Sequence, residues 1–190
     1  MKHFKNFKTC VYCTAQTLAS LDETTLARDY AYLEKYVGID KVYLETYRDG
    51  TWVAIDHMKM IQNFFKEHGV EIAGGITAVT PPLEKDDAKR QRLFQTFCYS
   101  NETMRTYLKK IVTYTAELFD EIILDDFFFT SCTCDDCLRE RSNLSWAEFR
   151  SNKMIDVAEN LVLKPAKLAN PSVKVTIKYP NWRESYHETG

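Results

Sequence analysis

Val70-Glu71-Ile72-Ala73-Gly74-Gly75-Ile76-Thr77 reads as a strand that begins directly after Gly69 and is stopped by Pro81-Pro82. Prolines cannot donate to a ladder, so the strand cannot run on through them. What decides the fold is where the glycines fall. Nucleotide-binding α/β sheets place a glycine-rich turn after a strand, where backbone amides meet phosphate. Here Gly74 and Gly75 lie inside the strand, and no strand-like run of the chain is followed by such a turn.

Before that strand, a helix over 53–68 carries Ile55, Met58, Ile61, Phe64 and Phe65 on one side and stops at Gly69. The spacing marks a single apolar face, and glycine is the expected C-terminal stop. Further back lies the strand Lys41-Val42-Tyr43-Leu44-Glu45-Thr46, fed by a helix with Leu26, Tyr30, Leu33 and Val37 in line. Asp22 and Thr24 are its N-cap candidates, and Gly38 ends it. The first strand is Cys10-Val11-Tyr12-Cys13-Thr14-Ala15. On the other side, the polar interval 83–101 reads as an inserted loop, and a helix over 102–119 leads to Glu121-Ile122-Ile123-Leu124-Asp125-Asp126. After a cysteine-rich loop, a helix over 146–168 leads to Val173-Lys174-Val175-Thr176-Ile177-Lys178.

Strand and helix therefore alternate through five strands, which means βαβ units and a parallel sheet. Such a sheet either stays open and doubly wound or begins a (β/α)₈ barrel. Polar and aromatic residues gather at the strands' C-terminal ends: Gln16; Glu45 with Tyr47 and Arg48; Thr77; Asp125 with Asp126; Lys178 with Tyr179. Barrel enzymes build their sites on that rim. With the glycine placement, this favours a TIM-barrel type of α/β fold. A full barrel takes about 250 residues, and this chain has 190. Residues 1–190 are therefore expected to form a single domain, the N-terminal five βα units of an incomplete barrel. Its open sheet edges would invite self-association.

Composition narrows the function. Hydrophobic residues are 45% and charged residues 27% of the chain, an ordinary globular balance. A formal net charge of −2 gives no reason to expect a nucleic-acid or anionic-membrane partner, and none is expected. No apolar run approaches a bilayer span of about 20 residues. Met1-Lys2-His3-Phe4-Lys5-Asn6-Phe7-Lys8 is basic but lacks the apolar stretch of a signal peptide. As written, the chain carries no address. Eleven Tyr, eleven Phe and three Trp make it rich in aromatics, suited either to stacking on sugar rings or to filling a core.

Asp125-Asp126 is the sharpest chemical feature. Neighbours on a strand point opposite ways, so one carboxylate is expected at the barrel mouth while the other anchors loops or a substrate hydroxyl. Glycoside hydrolysis needs two carboxyl groups about the scissile bond, and aromatic walls would desolvate one at this rim. Both could instead only accept bonds from loop amides and basic partners. Glu45 is a candidate ligand for a substrate hydroxyl or a second carboxylate, or else it pairs with Arg48 or Lys178. Lys178 reads as a substrate ligand or as an ion-pair partner of Asp125 or Asp126, and Trp182 as a stacking platform. Gln16, Tyr47 and Tyr179 complete the candidate cleft. His57 and His68 lie on a helix away from the rim and are assigned no chemistry.

Cys132-Thr133-Cys134-Asp135-Asp136-Cys137 puts three thiols in a C-x-C-x₂-C run, with Cys98 upstream as a fourth. Four thiolates can close tetrahedrally on zinc and would leave no open position, so the metal would be structural. Disulfides or free thiols are the other readings. Cys10 and Cys13 share a strand and fall on opposite faces, which reads as buried core thiols.

The succession Phe97-Cys98-Tyr99-Ser100-Asn101, then Leu124-Asp125-Asp126-Phe127-Phe128, then the cysteine run resembles barrel glycoside hydrolases. The cysteines are similar to the zinc cluster of family 42 beta-galactosidases, which has a C-x-C-x₂-C run after strand four and one cysteine upstream. The Asp-Asp-aromatic strand end is closer to glycosidase-like barrel proteins of polysaccharide-degrading bacteria. The likeness covers 10–182 in rhythm and specific residues only over 98–137. It implies hydrolysis of a poly- or oligosaccharide, with a strand-four carboxylate, Asp125 or Asp126, as one catalytic group and no cofactor beyond structural zinc. The beta-galactosidases end strand four with Asn-Glu and take a nucleophile from strand seven. This chain has Asp-Asp there and stops earlier, so their retaining mechanism does not transfer. A non-catalytic carbohydrate-binding barrel and an α/β metalloprotein with a zinc loop are the alternatives.

Overall fold

A computed structural model describes residues 4–79, 93–126 and 128–178. Six strands form one sheet: β1 (Cys10–Cys13), β2 (Lys41–Arg48), β3 (Thr51–Trp52), β4 (Glu71–Ile76), β5 (Glu121–Leu124) and β6 (Lys174–Ile177). The parallel strands run in the order β1-β2-β4-β5-β6, with β3 folded back antiparallel on β2. Each parallel strand lies beside the next one in sequence. A doubly wound sheet must reverse this order at a switch point. Its steady progression is that of a barrel wall, so the fold is the partial (β/α)₈ type that the strand rhythm predicts.

The helices are α1 (Ala15–Ser20), α2 (Glu23–Tyr36), α3 (Ile55–Glu67), α4 (Glu102–Leu118), α5 (Asp135–Arg141), α6 (Trp146–Asp156) and α7 (Lys164–Ala169). Caps set their starts. Asp22 accepts from the Thr25 amide at 2.7 Å, Asn101 from the Met104 amide at 3.1 Å, and Ser145 with Glu148 closes a capping box. Gly38 and Gly69, both at φ +73°, close α2 and α3.

Val42, Leu44, Ile122, Leu124 and Val173 bury themselves on one face of the sheet, in a core with Leu108, Ile111 and Val112 of α4 and Leu161, Val162 and Ala166 further on. The other face mixes charged and aromatic side chains. There Lys41 pairs with Glu121 and lies over the Tyr43 ring, with its Nζ 5.0 Å from the ring centre. Two adjacent glycines allow close approach on both faces. A Cβ on Gly74 would come within 2.6 Å of Thr115 on α4, and one on Gly75 within 2.7 Å of the Tyr12 hydroxyl.

Several local features differ from the sequence reading. β1 ends at Cys13, because Thr14 turns the chain into α1 by capping it. As the outer strand of the described sheet, β1 leaves Cys10 exposed and Cys13 half-buried, so neither is a fully buried core thiol. The cysteine loop contains α5. The helix expected over 146–168 widens into a π-helix at Val157–Leu163, just before Pro165. Proline has no N–H for the carbonyl four residues back, so the hydrogen-bond register must change there.

Candidate active site and cysteine cluster

The ladder continues past the ends of the strands and aims the rim residues. The Asp125 amide donates to the Ile76 carbonyl and the Lys178 amide to the Leu124 carbonyl, both at 2.9 Å. Glu45, fully buried, is held by four partners. Tyr12 Oη donates at 2.8 Å, the Ala15 amide at 2.7 Å and Arg48 Nε at 2.9 Å, and the Thr77 hydroxyl donates as well. Arg48 then turns outward, its Nη2 lying 3.5 Å from Asp125. Lys178 Nζ sits 3.1 Å from Asp125 and 3.0 Å from Asp126. The rim is thus one chain of charge: Glu45, Arg48, Asp125, Lys178, Asp126.

Burial pulls the Arg48 guanidinium down, but its bonds to Glu45 more than offset this and leave it raised. The Asp126 hydrogen bond, reinforced by Asp125, raises Lys178 despite partial burial. Burial, then the Glu45 charge, push the Tyr12 phenol well above its ordinary value. At neutral pH both cations are charged and Tyr12 is a neutral donor.

The rim brings together Gln16, Glu45, Asp125, Asp126 and Lys178. Gln16 is exposed and its amide reaches the Arg48 carbonyl at 3.4 Å. Strict alternation does not separate the two aspartates. β5 stops at Leu124, and both carboxylates reach the same lysine. Tyr47 departs from the expectation. It is fully buried among Trp52, Phe97 and Tyr107, on the opposite face from Glu45. The cause is a break in register between Glu45 and Tyr47, which sends Tyr47 inward and swings Arg48 onto the Glu45 side. Tyr179 and Trp182 lie outside the described residues. The pairing of Glu45 with Arg48 that the sequence offered as one reading is formed, at 2.9 Å. The sequence reading left Tyr12 out of the site.

The second cluster is made of cysteines. Cys98 Sγ is 3.7 Å from Cys134 and 3.6 Å from Cys137, Cys134 is 3.8 Å from Cys137, and all four thiols, Cys132 included, lie within 4.8 Å of one another. Tetrahedral zinc–thiolate bonds of about 2.3 Å place the sulfurs about 3.8 Å apart, so these residues fit a zinc ion. A disulfide would need about 2.05 Å. Hydrogen bonds from Cys137 and Cys98 pull the Cys132 thiol down. Arg150, almost wholly buried, lies over Trp146 with its guanidinium 4.6 Å from the ring centre and reaches the Ser131 carbonyl at 3.4 Å. Burial lowers its pKa, while the Cys137 and Cys132 thiols act in the other sense. A buried cation beside four thiolates would offset part of their charge.

A progressively wound parallel sheet, helices packed on one face and a charged rim at the strands' C-terminal ends define a barrel-type α/β domain. The family described as a probable glycosyl hydrolase catalytic domain matches residues 1–190, and the chain belongs to it. An uncharacterized protein of Saccharolobus solfataricus is 33% identical over 210 aligned positions, covering 98% of this chain. The chain spans about a third, 34%, of that archaeal relative's length.

Proposed function

We propose that the chain carries the N-terminal, substrate-facing part of a glycoside hydrolase acting on a poly- or oligosaccharide, with Asp125 as one catalytic carboxylate. A single observation carries the choice: Asp125 directly follows β5 on the open face of the sheet, between the cations of Arg48 and Lys178. Its side chain is 14% exposed against 39% for Asp126. A carboxylate in that position is partly withdrawn from water, as transition-state charge stabilisation requires. Asp126 shares Lys178 and steers it. Glu45 has no face left for substrate, so it acts as the anchor that fixes Arg48. The four cysteines hold a structural zinc that ties the loop after β5 to the segment before α4, with no part in the chemistry.

A specific observation keeps a second reading in play. Hydrolysis needs a carboxyl group on each side of the scissile bond. Among the described rim residues, the carboxylates other than Asp125 are the enclosed Glu45 and Asp126, which is next to Asp125 in the chain. A carbohydrate-binding barrel without hydrolysis would look the same here.

The test is hydrolysis of aryl glycosides and plant polysaccharides by the full-length protein, with metal content measured on the same sample. Asp125→Asn is expected to cut kcat by about 10²-fold or more, in the range of lost acid–base catalysis, with Tm preserved. Asp126→Asn is expected to cost less. Sugar binding without turnover would install the binding-barrel reading, and bound zinc with neither would leave a metalloprotein.

A further inference from the structure

We propose that Arg150 is the counter-cation of the four-cysteine site and that its charge sets how tightly the site holds zinc. The proposal rests on the zinc reading above and gives a role to a residue outside the four ligands. Four thiolates carry twice the charge of one zinc ion, so the filled site is still a dianion. Cys98, Cys132 and Cys137 are buried and Cys134 is half-buried. Enclosing that much charge is costly unless an opposite charge is enclosed with it. Arginine suits the task, because it stays charged and is more weakly hydrated than lysine.

Arg150 is in place for it. It is among the largest enclosed side chains, with 1% of the residue exposed. A cation is almost never enclosed so far without a negative partner. Its Nη2 reaches the Ser131 carbonyl at 3.4 Å, directly before the ligand Cys132. Phe149, its chain neighbour, packs in one cluster with Cys98, Cys132 and Cys137. Trp146, whose ring centre is 4.6 Å from the guanidinium, joins the same cluster. The thiols of Cys137 and Cys132 favour the charged form of Arg150. Carboxylates of α5 and α6 are engaged with other groups. Glu140 pairs with Lys153, Asp156 with Arg105 at 2.7 Å, and Glu148 closes the capping box of α6.

Ser100 makes a contact of a different kind. Its Oγ lies 3.4 Å from Cys137 Sγ, so its hydroxyl can donate to that sulfur as a thiolate. The bond brings no countercharge, which makes Ser100 the natural comparison for Arg150.

The experiment measures the zinc Kd of the full-length protein by competition with a chromophoric chelator, together with the Tm of its zinc-loaded and zinc-free forms. Arg150→Met keeps the length of the side chain and its packing on Trp146 while removing the charge. It is expected to raise the zinc Kd about tenfold or more, the usual cost of losing a group that supports a metal ligand. The gap in Tm between loaded and free forms should narrow with it. Arg150→Lys keeps the charge and should lose less than Arg150→Met. Ser100→Ala should lose only about fivefold, as for one hydrogen bond. If Arg150→Met does not fold, Arg150→Gln, equally neutral, carries the same comparison. A merely structural Arg150 would lower both Tm values together and leave Kd alone. Zinc bound as tightly by Arg150→Met as by the wild type would overturn the counter-cation and leave the zinc site standing, and so would zinc bound as weakly by Arg150→Lys as by Arg150→Met. Wild-type protein that takes up no zinc would overturn both.

Discussion

Tyr12 shows how much one side chain decides at the rim. It rises from β1, passes over Gly75 and gives its hydroxyl to Glu45 at 2.8 Å, which leaves Glu45 fixed and Arg48 aimed outward. The same geometry makes the phenol reluctant to ionise. Burial, then the Glu45 charge, raise its pKa in the folded state above the unfolded value of about 10. Above that pH the unfolded chain gives up the proton while the folded chain keeps it, so stability must fall as pH rises. The contribution is whole below about pH 10 and is lost on the alkaline side. Thermal unfolding between neutral and alkaline pH should therefore show a drop in Tm above about pH 10, shallower in Tyr12→Phe. Burial also raises Tyr47 and Tyr99, so the variant should retain part of the drop. Identical pH profiles for variant and wild type would show that Tyr12 does not carry that load.

The elements meet most tightly at β4. Gly74 lies under α4 and Gly75 under Tyr12, so a methyl group on either presses on a different layer. Gly74→Ala is expected to cost about 1–3 kcal/mol by overpacking against Thr115 and Phe119, seen as a lower urea midpoint. Gly75→Ala should cost a similar amount and also displace Tyr12 from Glu45, so its damage should extend to activity. Equal losses of activity in the two variants at matched stability would show that the interior contact is not special. The glycine pair was also the feature most legible in the sequence, since its place inside a strand already spoke against a phosphate-binding turn. The carboxylates at the end of β5 were equally plain, and so was the four-cysteine set, because those signals are local. Tyr47 was not legible. Its direction depends on a register break between β2 and β4, a property of two strands together that alternation along one strand cannot reveal. Arg48 was legible as a rim residue and as a partner for Glu45, a pair that the structure shows at 2.9 Å.

At the scale of the whole molecule, the two faces of the sheet have different fates. Helices cover one face with a continuous apolar core, while Tyr12, Tyr43, Ile123, Lys41 and Glu121 on the other are only partly buried. A barrel interior is normally filled by side chains from strands all around it. Here the described parallel strands form a sheet whose outer members are β1 and β6. Outer strands present unpaired backbone N–H and C=O groups, a ready template for another chain. On that physical ground we propose that the 190-residue chain associates with itself. The ionic pairs on the open face set the terms. Lys41 with Glu121, and Lys178 with Asp125 and Asp126, are already satisfied within one chain, so charge supplies little drive. Pairing should come from strand edges and the partly buried Tyr12, Tyr43 and Ile123, and such association persists or strengthens as salt screens the charges. Sedimentation velocity over a concentration series should then show a mass above that of one chain at high concentration, undiminished by added salt. A chain that stays monomeric throughout, with a Tm independent of concentration, would mean that the open face is tolerable in water and that the edges are better protected than the strand pairing suggests.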